Sequence, residues 1–155
     1  MSVKVVRATR EAFQAYGKFV TLDESTVTSE GDNYVFWSDI ASYEIKGETE
    51  VGICQVFRDD PLTVDTLERH ERTPEVLIPI DGSFILPLKL DGDGNSVQAF
   101  EVAVGEAVVI NEGVWHGACV PLSGKACSYF VIFKRGTPDS DVQKQTTTPV
   151  EIFSR

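Results

Sequence analysis

Only two histidines occur among the 155 residues, and each sits close to groups that could work with it. The first lies in Leu67-Glu68-Arg69-His70-Glu71-Arg72-Thr73-Pro74-Glu75, the second in Gly113-Val114-Trp115-His116. Imidazoles and carboxylates are the usual groups for binding divalent metals and for moving protons near neutral pH. Glu68 and His70 stand two positions apart, so on a strand both leave the same face. Four residues separate His70 from Glu75 and six separate Glu75 from Gly82. Five lie between Gly105 and Asn111, and two between Gly113 and His116.

Short β-rich segments must position these groups. The pattern predicts strands over Val3–Val6, Tyr34–Trp37, Ser42–Ile45, Val51–Phe57, Glu75–Ile80, Phe84–Leu88, Ala99–Val102, Ala107–Ile110 and Ala126–Phe133. Turn signals at Lys46-Gly47, Asp81-Gly82, Val104-Gly105 and Ser123-Gly-Lys125 separate them. One short helix is expected from Thr9 to Gly17, with Thr9 as its cap and Gly17 at its end. So many strands with hardly a helix indicate an all-β sandwich or barrel. Asp91-Gly-Asp-Gly-Asn95 reads as a hairpin turn rather than a calcium loop, because Val102 stands where the distal glutamate would be. The polar stretch Thr137–Pro149 reads as a surface extension, with Val150–Phe153 docking back.

Composition narrows the function classes. Apolar residues make up 42% and charged residues 25%, an ordinary globular balance. Twenty-four acidic against 14 basic residues leave a net charge of −10, which repels phosphate backbones and anionic membranes. No nucleic-acid or membrane partner is therefore expected, and no signal peptide is visible. Cys54, Cys119 and Cys127 form no Cys-x-x-Cys pair and read as small buried hydrophobes in a reducing cytoplasm.

The double spacing resembles the two motifs of the cupin superfamily. The resemblance implies a double-stranded β-helix, or jelly-roll barrel, spanning 1–155 as one domain with 137–155 as a C-terminal extension. It also implies a metal-ligand set, carried over by position, of Glu68, His70, Glu75 and His116. Two imidazoles with one or two carboxylates suit Mn, Fe, Ni or Zn with positions open for substrate. Departures are Leu62 for the opening Gly, Glu68 for the first His, Asn111 for Pro and Val120 for Asn. In the plainer alternative, His70 and His116 are hydrogen-bonded lining residues and Glu75 pairs with Arg69 or Arg72.

A closer likeness runs over most of the chain. Glu11-Ala-Phe-Gln-Ala-Tyr-Gly17, Ser38-Asp-Ile-Ala41, Leu67-Glu-Arg-His70, Ile78-Pro-Ile-Asp-Gly82, Gly113-Val-Trp-His116 and Lys134-Arg-Gly136 carry it. The chain resembles the ureidoglycolate lyase family of cupins, which implies a homodimeric β-barrel enzyme that splits ureidoglycolate into glyoxylate and urea. Phe36, Ser38, Gly117, Glu75, Tyr129 and Lys134 differ from the residues the family often has there.

That reaction needs a base for the hydroxyl proton, an acid for the departing nitrogen and donors for the carboxylate. Without a metal, Glu75 or Glu68 would be the base and His70 or His116 the acid. With one, a carboxylate is left over for proton transfer. Arg58, Arg69, Arg72, Lys46 and Lys89 are candidate counter-charges for an anionic small-molecule substrate. By alternation, Arg69 and Trp115 should point away from the pocket. Tyr43, Phe57, Leu77 and Phe84 are candidate lining residues. Two further readings stand beside the lyase: a metal-dependent cupin isomerase or oxygenase, and a non-catalytic small-molecule-binding cupin.

Overall fold

The computed structural model describes residues 1–153 except 24 and 93. The N-terminal part contains β1 (Ser2–Arg7), one helical turn α1 (Arg10–Phe13), β2 (Gly17–Val20) and a small hairpin of β3 (Ser29–Gly31) and β4 (Tyr34–Phe36). Then come β5 (Thr49–Phe57), β6 (Thr63–Arg69), β7 (Glu75–Pro79), β8 (Phe84–Lys89), β9 (Gln98–Val102) and β10 (Ala107–Ile110). The remaining elements are β11 (Trp115–His116), β12 (Val120–Pro121), β13 (Ala126–Lys134), the helical turn α2 (Thr137–Ser140) and β14 (Gln143–Phe153).

The expected all-β cupin-type barrel is what the chain forms. One sheet runs β11-β6-β14-β1-β9-β8-β12, and β11 also pairs with β8. That extra pairing closes β6, β14, β1, β9, β8 and β11 into a ring of six strands. The wall is not purely antiparallel, because β1 runs parallel to both of its neighbours. A second sheet, β2-β10-β7-β13-β5, packs against the ring.

Two apolar cores result, and β8 belongs to both. Its Phe84, Leu86 and Leu88 enter the core between the sheets, together with Phe13, Leu77, Phe100 and Val108. Its Ile85 points the other way, into the ring, with Leu67, Ala99, Trp115 and Val150. All four β8 side chains are fully buried. Each contributes roughly 1.5–3 kcal/mol relative to exposure. A strand buried on both faces reads as a continuous apolar run, which is why its sequence lacks polar alternation.

Three local expectations change. The predicted helix from Thr9 to Gly17 is only the turn α1. Thr9 caps it by accepting from the Ala12 amide at 3.1 Å. Gly17 does not stop a helix but opens β2, where a side chain would strike the Val109 carbonyl. Ser42–Ile45 forms no strand, because no neighbour pairs with it and Lys18 Nζ takes the Ser42 carbonyl. The stretch after Thr137 is no surface extension: α2 packs back, and β14 pairs with β6 and β1. Pro149 sits in the break of register between Thr146 and Val150, where no ladder donor is needed. The expected docking of Val150–Phe153 holds for Val150 and Ile152, both buried in the ring.

The hairpin between β8 and β9 turns where expected, with Asn95 bonding back to Asp91 and Gly92. Asp93 of that turn lies outside the described residues, as do positions 154 and 155.

Candidate active site

His70, one residue beyond β6, is locked from behind. Its Nδ1 lies 2.7 Å from the Asp141 carbonyl. The Asp141 carboxylate accepts from the amides of Glu71 and Arg72 at 3.0 and 2.8 Å, fixing the backbone turn that follows His70. With Nδ1–H donating to a carbonyl, neutral His70 presents a lone pair on Nε2, the arrangement found behind metal-binding histidines. His116 lies on β11, in register with Glu68 of β6 and Leu88 of β8. The two histidine segments are also joined directly, since the Gly113 amide donates to the His70 carbonyl at 2.7 Å. Gly113 has φ +79°, a backbone conformation that glycine adopts without strain.

Glu75, at the start of β7, reaches across from the other sheet. Its Oε2 lies 3.4 Å from His70 Nε2 and 3.1 Å from His116 Nε2. All three atoms are buried, and none is aligned for a hydrogen bond. Leaving such groups unmatched is costly. Donor atoms ~2.0–2.2 Å from a shared ion lie about 3.0–3.5 Å from their neighbours around it. The spacing of these unpartnered atoms therefore fits a divalent ion. Glu68 competes for the same role, since one of its oxygens and a nitrogen of each imidazole lie within 4.8 Å of one another. Glu75 is the stronger ligand candidate on distance and burial, and Glu68 is only half-buried.

The electrostatics agree with a tightly coupled cluster. Burial pulls His70 down, but the neighbouring Glu75 carboxylate, the Asp141 carbonyl and the charge of Glu68 together leave its pKa raised. Burial would raise Glu75, yet the two imidazoles hold it lowered. His116 is lowered, because burial and the charge of His70 outweigh the attraction of Glu75.

These groups open into a cavity of about 670 Å³ between the sheets, walled by Val131 and Phe133 on one side and Lys144 on the other. A deeper lobe reaches Leu77, Gly117 and Cys119 and shares Glu68, Glu75, Cys54, Tyr129 and Lys144 with the first. Tyr129 is buried, which raises its pKa and keeps the phenol neutral. Burial likewise raises the thiols of Cys119 and Cys127. All three cysteines are free; Cys119 and Cys127 are the small buried residues expected, whereas Cys54 lines the cavity.

The four residues singled out by spacing thus meet at one place, and Glu75 faces the imidazoles rather than Arg69 or Arg72. Other expectations fail. Arg58 is held by Asp60 and the carbonyls of Pro121 and Leu122. Arg72 binds the Ser140 carbonyl and approaches Asp141. Arg69 points away, as alternation predicts, lying 4.4 Å over the Trp115 ring and bonding Asp91 and Gln143. Lys46 and Lys89 lie outside the residues that line the cavity. Of the four proposed lining residues only Leu77 reaches the cavity. Phe84 is core, and Tyr43 and Phe57 face solvent. Asp141 and Lys144 went unrecognised, because both belong to the stretch read as an extension.

A sequence model of the family described as ureidoglycolate lyase matches residues 1–153. The chain belongs to the ureidoglycolate lyase family. One relative, named ureidoglycolate lyase 2 of Rhizobium meliloti, is 32% identical over 107 residues, covering 64% of each chain. Another, named ureidoglycolate lyase of a Chelativorans species, is 26% identical over 145 residues, covering 88% of this chain and 86% of its own. A crystal structure of a dTDP sugar isomerase from Desulfovibrio desulfuricans superposes with a TM-score of 0.54 at 10% identity, over 78% of this chain and 81% of its own. That likeness shows that the family's fold is shared with enzymes of other names.

Proposed function

We propose that this chain is an enzyme of the ureidoglycolate lyase type, splitting ureidoglycolate into glyoxylate and urea. In this reading His70, Glu75 and His116 hold a divalent ion, with Glu68 beside them as the proton carrier. The observation that carries the proposal is the meeting of three buried, unmatched polar atoms inside a cavity of the family's scaffold. The donor set suits Mn, Fe, Ni or Zn, and a bound ion would supply Lewis acidity toward a substrate hydroxyl.

The chain's own groups account for the proton traffic. The substrate carries a hydroxyl and a ureido nitrogen on one carbon next to a carboxylate. Glu68 accepts the hydroxyl proton as the carbon–oxygen bond becomes a carbonyl and the carbon–nitrogen bond breaks. The same proton passes to the departing nitrogen, which leaves as urea. Val131 and Phe133 give this cavity an apolar wall. Purified protein should release glyoxylate from ureidoglycolate above the non-enzymatic background, lose that rate to a chelator, and regain it with added metal. A rate no higher than background removes this substrate, and a chelated protein at full rate removes the ion.

The same reading makes the chain a cytoplasmic homodimer, with residues 1–155 as one domain. No helix among the described residues is long and apolar enough to cross a membrane. β5 ends its sheet, and Val51, Ile53 and Phe57 on it are 65%, 65% and 67% exposed. An uncovered apolar edge of this kind invites pairing with another chain. Sedimentation should find wild type as a dimer and the Val51→Asp, Phe57→Asp double variant as a monomer. A monomeric wild type defeats the assembly.

A further inference from the structure

The cavity proposed to take an anionic substrate is lined largely by carboxylates. Glu50, Glu68 and Glu75 all line it, and Glu50 is held in place by the Gly136 amide at 3.1 Å. One cationic side chain, Lys144, lines both lobes. It stands opposite Glu68 in the β14–β6 register, so both side chains leave the face of the ring that looks into the cavity. Every ion pair of the described residues is made by Arg7, Arg58, Arg69, Arg72, Arg135 or the two histidines, which leaves the Lys144 ammonium free. Gln143, the preceding residue on β14, turns to the opposite face and accepts from Arg69. The alternation of the strand therefore sends one basic side chain to the cavity rim and keeps the arginine beneath it occupied.

We infer that Lys144 is the anchor for the substrate carboxylate and selects acids over neutral analogues. This rests on the reading above that the site takes a small α-hydroxy acid. With the anionic end held at the rim by an ammonium, the adjoining carbon is turned inward to His70, Glu75 and His116. Lys144 is a binding and specificity residue and exchanges no proton with the substrate. A charge-assisted pair at a partly solvated rim weakens as salt rises.

The test is calorimetric binding of glycolate and of its neutral amide, glycolamide, to wild type, Lys144→Met and Lys144→Arg. Wild type should prefer glycolate by about 10-fold, Lys144→Met should lose that preference without losing glycolamide, and Lys144→Arg should keep it. In turnover, Lys144→Met should raise KM for ureidoglycolate about 10-fold with kcat changed far less. Unchanged glycolate affinity in Lys144→Met overturns the assignment, and so does a wild type that binds neither compound. Circular dichroism of the variants separates loss of the anchor from loss of fold. A wild type that prefers glycolate through Lys144 but never cleaves ureidoglycolate sinks the lyase reading and leaves the anchor standing.

Discussion

His116→Ala should abolish stoichiometric metal binding and, with it, turnover of ureidoglycolate. His116 is 5% exposed and sits where β6 and β8 both pair with its strand, which fixes its ring at the site. Its Nε2 is one of three buried, unpartnered polar atoms that meet at the site among the described residues. Changes even to the outer partners of metal-binding side chains lower affinity or activity by roughly 10–100-fold, so losing a direct ligand should cost more than about 100-fold in affinity. Metal content after dialysis and kcat/KM on ureidoglycolate report the two effects separately. Retention of both in His116→Ala would falsify the assignment of the ion to this cluster. Falling pH gives an independent check with a defined sign. Imidazolium cannot bind a metal, and the pKa of His70 lies above its ordinary value. Metal affinity in the wild type should therefore begin to fall above the usual imidazole range and keep falling as the medium becomes more acid.

Glu68→Gln and Glu75→Gln should fail in opposite ways. Glu75 is buried, its carboxylate is held ionised by two imidazoles, and it contributes the oxygen nearest to both. Its amide variant should lose metal affinity by at least about 10-fold, because a neutral oxygen replaces an anionic one. Glu68 is half-buried, lines both lobes and is the proposed acceptor of the substrate hydroxyl proton. Glu68→Gln should keep the metal while kcat falls by about 10²–10⁴-fold, the usual worth of a positioned proton-transfer group. The two variants are nearly isosteric with the parent residues, so neither should unfold the chain. If Glu68→Gln loses the metal and Glu75→Gln keeps it, the two carboxylates exchange roles.

Much of the framework was legible in the residues because strand periodicity and motif spacing are local properties. Eight of the nine predicted strands lie within observed ones or overlap them, from Val3–Val6 in β1 to Ala126–Phe133 in β13. The pairing of Glu68 with His70 on one face follows from a period of two. So does the turning away of Arg69 and Trp115, both confirmed by their contact with each other. Ser42–Ile45 had strand-like residues but found no partner, and pairing is not a local property.

The tertiary structure alone decided the rest. Up to Pro149, β14 is polar, rich in Thr and Gln and without apolar alternation, so the pattern there does not mark a half-buried strand. It becomes one because β6 and β1 offer free edges to it, and in doing so it brings Lys144 to the cavity and follows directly on Asp141 behind His70. The division between Glu68 and Glu75 was likewise undetermined by their spacing. Glu75 reaches the imidazoles from the opposite sheet, and only the distance between two packed sheets tells which carboxylate is nearer. Residue type and interval specify which groups can act together; the register of distant strands specifies which of them touch.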